Sequence, residues 1–105
     1  MKLLTKAILG KIPALYAQDG KGDDAVVYVK FFNPCGAGTW YATEYNPESR
    51  VFFGWATLDG YTGELGYFSL KELESVRLPF GMKIERDLHF DDTTLGEVTK
   101  KYATC

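Results

Sequence analysis

TWYATEY, Thr39 to Tyr45, puts three aromatics into seven residues, and the fold turns on how that stretch is read. As an extended strand it sends Trp40, Ala42 and Glu44 to one side and Tyr41, Thr43 and Tyr45 to the other. Both sides are aromatic, so the strand is either central and packed on both faces or presents one face to a partner. Just upstream, AVVYVKFF (residues 25–32) alternates in the same way. Val27, Val29 and Phe31 form one of its faces, and Val26, Tyr28, Lys30 and Phe32 the other. NPCGAG between the two segments turns the chain back, which makes them a hairpin with a longer loop.

Downstream, Asn46-Pro47 breaks the strand, VFFGWAT is a third strand, LDGYTG a glycine-rich loop and ELGYFS a fourth. Four closely spaced strands argue for an antiparallel meander. Helices flank it. In TKAILGKIPALY, Leu4, Ile8, Ile12 and Leu15 recur at helical spacing, with Thr5 as cap and Pro13 as terminator. Ser69 opens a capping box with Glu72, so SLKELESV is a second helix with Leu70 and Leu73 inward. MKIERDLHF alternates as a fifth strand. Thr94 and Glu97 form another capping box ahead of a last helix carrying Leu95, Val98 and Tyr102. The expected fold is α+β in the order α-β-β-β-β-α-β-α: an antiparallel sheet of about five strands with three short helices, one domain over residues 1–105.

Three short helices are expected to cover one face of such a sheet and leave the other open. The open face would hold Tyr28, Lys30 and Phe32 from the first strand and Tyr41 and Tyr45 from the second. A register slip of one residue would exchange the two sets.

Composition narrows the function classes. Twelve basic against fourteen acidic residues give a net charge of −2. A nucleic-acid binder usually shows a basic excess on one face, so direct nucleic-acid binding is not expected. Sixteen aromatics, 15% of the chain, serve a core and a binding surface equally well. Asp19, Asp23 and Asp24 crowd one loop, and Asp91 and Asp92 another; turns and caps account for most such clusters. No apolar run nears the roughly 20 residues that span a bilayer. MKLLTKAILGKIP has only a short apolar patch, interrupted by Lys11 and Pro13, which is unlike a secretory leader. A cytoplasmic protein with free thiols at Cys35 and Cys105 is expected, Cys105 being solvent-exposed.

Catalytic patterns are weak. His89, the only histidine, alternates with Asp87 and Glu85 on a half-exposed strand and has no nucleophile beside it. One histidine and two distant cysteines do not make a closed zinc site, and the aspartate spacings lack the calcium-loop pattern. GKG at 20–22 and GAG at 36–38 match neither phosphate-loop spacing. Glu44 and Glu48 straddle a turn without a third metal ligand. No enzyme, cofactor or metal is expected.

KLLTKAILGKIPALYA, GDDAVVYVKFFNPCGAGTWYATEYNP, VFFGWAT and ELGYFSLKELESVRLPFGMKIERDLHF together resemble an uncharacterised domain-of-unknown-function family. That family is carried by conjugative plasmids, integrative elements and phages. The resemblance runs from Lys2 to about Phe90, and its most specific pieces are VKFF with TWYATE, GYFSL with EL, and IERDLHF. It offers no catalytic motif to carry over. A small non-enzymatic protein of a mobile element is similar in kind to the type II-A anti-CRISPR proteins. The resemblance therefore implies a counter-defence protein that binds the host's type II RNA-guided Cas nuclease stoichiometrically and blocks nucleic-acid binding or cleavage. Tyr28, Tyr41 and Tyr45 would be packing anchors, with Lys30 and Phe32 beside them and the acidic loops of Asp23, Asp24, Asp91 and Asp92 meeting basic surface. The chain would be a monomer or a homodimer. The alternative is an accessory single-stranded nucleic-acid-binding or maintenance factor of a plasmid or integrative element, its exposed aromatics stacking bases.

Overall fold

The TWYATEY segment lies at the centre of the molecule. In the computed structural model, which describes residues 1–103, it is strand β3 (Thr39–Asn46) once the short helix α1 (Lys6–Leu9) and the strands β1 (Val26–Val27) and β2 (Val29–Phe32) have been laid down. After it come β4 (Val51–Thr57), β5 (Glu64–Ser69), α2 (Leu70–Ser75), β6 (Glu85–Arg86), β7 (Thr93–Thr94) and α3 (Leu95–Ala103). Five strands pair antiparallel in the order β5-β4-β3-β2-β6, with β3 in the middle, and β1 pairs with β7 in a separate two-stranded ladder. The fold is α+β, with the antiparallel five-stranded sheet the sequence implies.

Local chemistry sets the element ends. The Thr5 hydroxyl accepts the Ile8 N–H at 3.3 Å, Ser69 that of Glu72 at 3.3 Å and Thr94 that of Glu97 at 3.3 Å, so each helix starts at the cap its sequence signals. The first strand is interrupted at Tyr28, because β1 leaves the sheet to pair with β7 (Val26↔Thr94, Val27↔Thr93). The fifth strand is only two residues long. Past it, the Asp87 carboxylate accepts the His89 N–H at 2.9 Å and turns the chain away from β2.

A β-bulge in β3 corrects the simple alternation. Ala42 faces Gly54 and Glu44 faces Phe53, so Thr43 is the extra residue. Two residues on one strand then oppose one on the other, and side chains beyond the bulge change face. Tyr41 and Tyr45 would share a face in a regular strand; here they point to opposite sides. β3 and β4 run so close at this point that a Cβ on Gly54 would overlap the Tyr41 carbonyl. Glycine is required there.

Both faces carry a core. On the first, Val29, Phe31, Ala42, Tyr45 and Phe52 pack under Leu3, Ile8, Leu70, Leu73 and Ile84, supplied by the amino-terminal segment, α1, α2 and the stretch before β6. Phe52 anchors it, with ring centroids 5.3 Å from Phe31, 4.6 Å from Tyr45 and 5.4 Å from Phe68. Each such buried side chain is worth about 1.5–3 kcal/mol in transfer free energy. On the second face, Tyr41 and Trp55 pack under Ala25, Val27, Leu95 and Val98, brought by the β1–β7 ladder and α3.

The open aromatic face expected from the sequence is therefore absent. Tyr41 is 3% exposed and Tyr45 5%, each in a different core. The helices do not all lie on one side: α1 and α2 take the first face, α3 takes part of the second, and a two-residue ladder extends its cover.

Candidate functional site

The sequence-derived candidates do not converge. Tyr28 is half-buried at the break between β1 and β2, where its N–H donates to the Ala42 carbonyl at 2.9 Å. Lys30 sits with Nζ 5.8 Å from the Tyr41 ring centroid and 3.6 Å from the Asp87 carboxylate, so its charge is already engaged. Phe32 is half-buried in a shallow depression with Met1, Glu85, Leu88 and His89. Tyr41 and Tyr45 are buried in the two cores and so do not offer partner contacts. Asp23 and Asp24 are exposed in a 3-10 turn (Gly22–Asp24) packed on the start of α3. Asp92 is paired with Lys11 at 2.9 Å. Cys35 is exposed, while Cys105 lies outside the described residues.

The sequence reading missed a cleft on the second face, beside Leu95 at the start of α3. It encloses about 430 Å³, and its lining includes Tyr16, Gln18, Asp19, Glu44, Phe53, Leu65 and Tyr67. Register explains how β4 and β5 reach it. Phe53 faces Tyr67 and Trp55 faces Leu65, so all four project from one side of the sheet. Trp55 is covered by Tyr102 of α3, with ring centroids 5.0 Å apart. Across from Trp55 and beyond it on β5, Leu65 and Tyr67 are 54% and 56% exposed.

The floor of the cleft is a clip that uses the bulge. Glu44 is buried, and its two carboxylate oxygens accept the N–H groups of Tyr16 and Gln18, each at 2.8 Å. The buried Gln18 amide donates to the Val26 and Thr43 carbonyls, each at 2.8 Å, and its oxygen accepts the Val26 N–H at 2.6 Å. Thr43 is the bulged residue, and its carbonyl, which has no place in the ladder, is taken by Gln18. The clip fixes residues 16–18 against the sheet edge of β1 and sets Tyr16 at φ 72°, a left-handed conformation uncommon for a residue with a Cβ. Tyr16 is 69% exposed, and its hydroxyl accepts a hydrogen bond from Tyr67 at 3.3 Å. That bond, then partial desolvation, pushes the Tyr67 phenol above its ordinary pKa. Phe53 and Tyr67 meet edge to face at 5.1 Å, completing an aromatic wall.

Tyr41 provides the contrast. Burial raises its phenol pKa first of all, followed by the 2.8 Å hydrogen bond with Tyr102. Elsewhere, the Asp59 carboxylate closes the β4–β5 loop by accepting from the Tyr61 and Thr62 N–H groups and the Thr62 hydroxyl. Those donors, Thr62 first, hold its pKa well below the usual carboxylate range. Tyr61 projects into solvent from the loop they fix. Among the described residues, no three of His, Cys, Asp and Glu converge to hold a metal ion.

The lost strand alternation hid this site. Glu44 and Tyr16 are joined only by tertiary contact, whereas Leu65 and Tyr67, alternating in ELGYFS, were a signal in plain view. What the fold and the cleft define is a small α+β domain with one aromatic, acid-lined depression on a sheet face. The chain belongs to the protein family of unknown function DUF2958, whose family model matches residues 3–103. No curated protein and no solved structure matches it. Among the described residues no helix is long and apolar enough to cross a membrane.

Proposed function

We propose that this chain is a non-enzymatic binding protein that grips a protein partner through the Tyr16–Leu65–Tyr67 cleft. Its role in this reading is counter-defence, as a stoichiometric inhibitor of a type II RNA-guided nuclease. The observation that carries the binding role is the exposure of two tyrosines and a leucine around a cleft whose lining contains carboxylates and no base. Tyrosine is enriched among interface anchors because it buries a large, rigid area at low entropic cost. An acidic cleft, with Asp23 and Asp24 exposed on the adjoining turn, complements the basic channel in which such a nuclease holds nucleic acid. The choice of that partner rests on the resemblance to mobile-element proteins. The same acidic lining disfavours single-strand binding, since phosphate neutralisation requires cations.

A cleavage assay with purified nuclease, guide RNA and target DNA tests the reading. Excess protein is expected to stop cutting and to co-elute with the nuclease, while the Leu65→Ala/Tyr67→Ala double variant restores cutting. Unchanged cutting together with separate elution would overturn it. Fluorescence anisotropy with a labelled single strand at low salt should show no binding; salt-sensitive binding there would favour the nucleic-acid factor instead.

A further inference from the structure

The floor of the cleft is an anion with no cation beside it. Glu44 is buried and satisfied by backbone N–H groups, yet among the described residues no lysine or arginine forms an ion pair with it. Its hydrogen-bonding groups are met while its charge is not, and carboxylate oxygens have lone-pair capacity beyond one bond each. Buried charges are normally paired. Asp19 adds a second carboxylate to the lining, whereas Lys21, the only base between residues 17 and 24, does not line the cleft. The Tyr67 phenol, its pKa raised first by the Tyr16 hydrogen bond and then by desolvation, also lies within the field of Glu44 and Asp19, the two smallest contributions. The walls are the ring faces and edges of Tyr16, Phe53 and Tyr67. Tyr16 is held in an unfavourable backbone conformation that keeps it there, a form of strain that persists where surrounding contacts over-determine it.

We infer that the cleft receives an arginine side chain of the protein partner, its guanidinium lying against the tyrosine rings within the field of Glu44 and Asp19. This rests on the cleft being the partner surface. A planar, weakly hydrated cation with several donors suits a site that combines aromatic faces with carboxylate acceptors. The apolar remainder of the lining, Ala25, Leu65 and Leu95, suits the methylene stem.

The test is an amide-resonance titration of the whole chain with an acetylated, amidated glycine-arginine-glycine tripeptide. The same peptide with citrulline, which keeps the shape and loses the charge, and with lysine serve as comparisons. The arginine peptide is expected to shift the amides of Tyr16, Gln18, Asp19 and Tyr67. Its affinity should fall at least about threefold with citrulline or lysine, with Asp19→Asn, and with Tyr67→Leu, which retains apolar area but no π face. Both variants alter exposed side chains, so the fold is preserved. No shifts, shifts outside the cleft, or equal binding of the citrulline or lysine peptide would overturn the inference. Because no nuclease enters this titration, its failure leaves the cleavage assay to judge the counter-defence role, and a failed cleavage assay leaves the titration result standing.

Discussion

Two tyrosine pairs occupy the same face of the same sheet, and their surroundings differ almost completely. Tyr41 and Tyr102 share a hydrogen bond of 2.8 Å beneath α3, flanked by Trp55 and Phe90. Tyr67 and Tyr16 share one of 3.3 Å in the open, over a floor made by Glu44 and Gln18. The first pair closes a core; the second lines a cleft. Residue type does not separate them, since all four are tyrosines. Position along the sheet does: Tyr102 of α3 packs on Tyr41 and Trp55, whereas Leu65 and Tyr67 of the edge strand β5 stay more than half exposed. What remains uncovered is a surface whose aromatic rings are already oriented by contacts behind them, which lowers the entropy lost on binding.

Three substitutions probe that division. The largest effect is expected at Trp55→Ala in the covered half, where the indole packs on Tyr41 and Tyr102 and where a Cβ on Gly63 would already overlap it. Loss of about 3–5 kcal/mol is expected from urea denaturation; a small change would mean that α3 is not a structural lid.

Tyr41→Phe comes next, at about 1 kcal/mol, since it removes one hydroxyl and leaves that of Tyr102 without its partner. Its signature is pH dependence. Burial, then the Tyr102 bond, raises the folded-state pKa of Tyr41 above the ordinary value of 10.0. The folded chain then holds that proton more tightly than the unfolded chain does. Stability from this group is complete below about pH 10 and declines as pH rises further. Tyr41→Phe should flatten that alkaline decline relative to the parent, read as the urea midpoint on either side of pH 10. An unchanged decline would show that Tyr41 is not the group responsible.

The smallest effect on stability belongs to Tyr67→Ala in the open half, where the melting temperature should move by no more than about 3 °C. Partner binding and the arginine-peptide shifts should nevertheless be lost. A large drop in melting temperature would place Tyr67 with the structural pair and remove the contrast.

Much of the architecture was legible in the chain. Alternation in VKFF, TWYATEY, VFFGWAT and ELGYFS marks the four principal strands, and Thr5, Ser69 and Thr94 cap the helices as their hydroxyls suggest. The faces were not legible. Period-two reasoning puts Tyr41 and Tyr45 together, and a single bulged residue, Thr43, separates them. Nothing in the local sequence ATE requires a bulge. It is stabilised by Gln18, twenty-five positions away, which takes the carbonyl that the bulge frees. The candidate site was hidden for the same reason, because Tyr16, Glu44 and Tyr67 come from three separate stretches of chain.

The sequence by itself determined which segments are strands and helices, because periodicity, caps and turn residues act through neighbours a few positions apart. Only the tertiary structure decided which aromatics are interior and which are free. That outcome depends on where α3 and the β1–β7 ladder come to rest on the sheet, and on a long-range glutamine bond that fixes the register of the central strand. Burial is a property of what lies on the far side of a side chain, and that is set by parts of the chain remote from it.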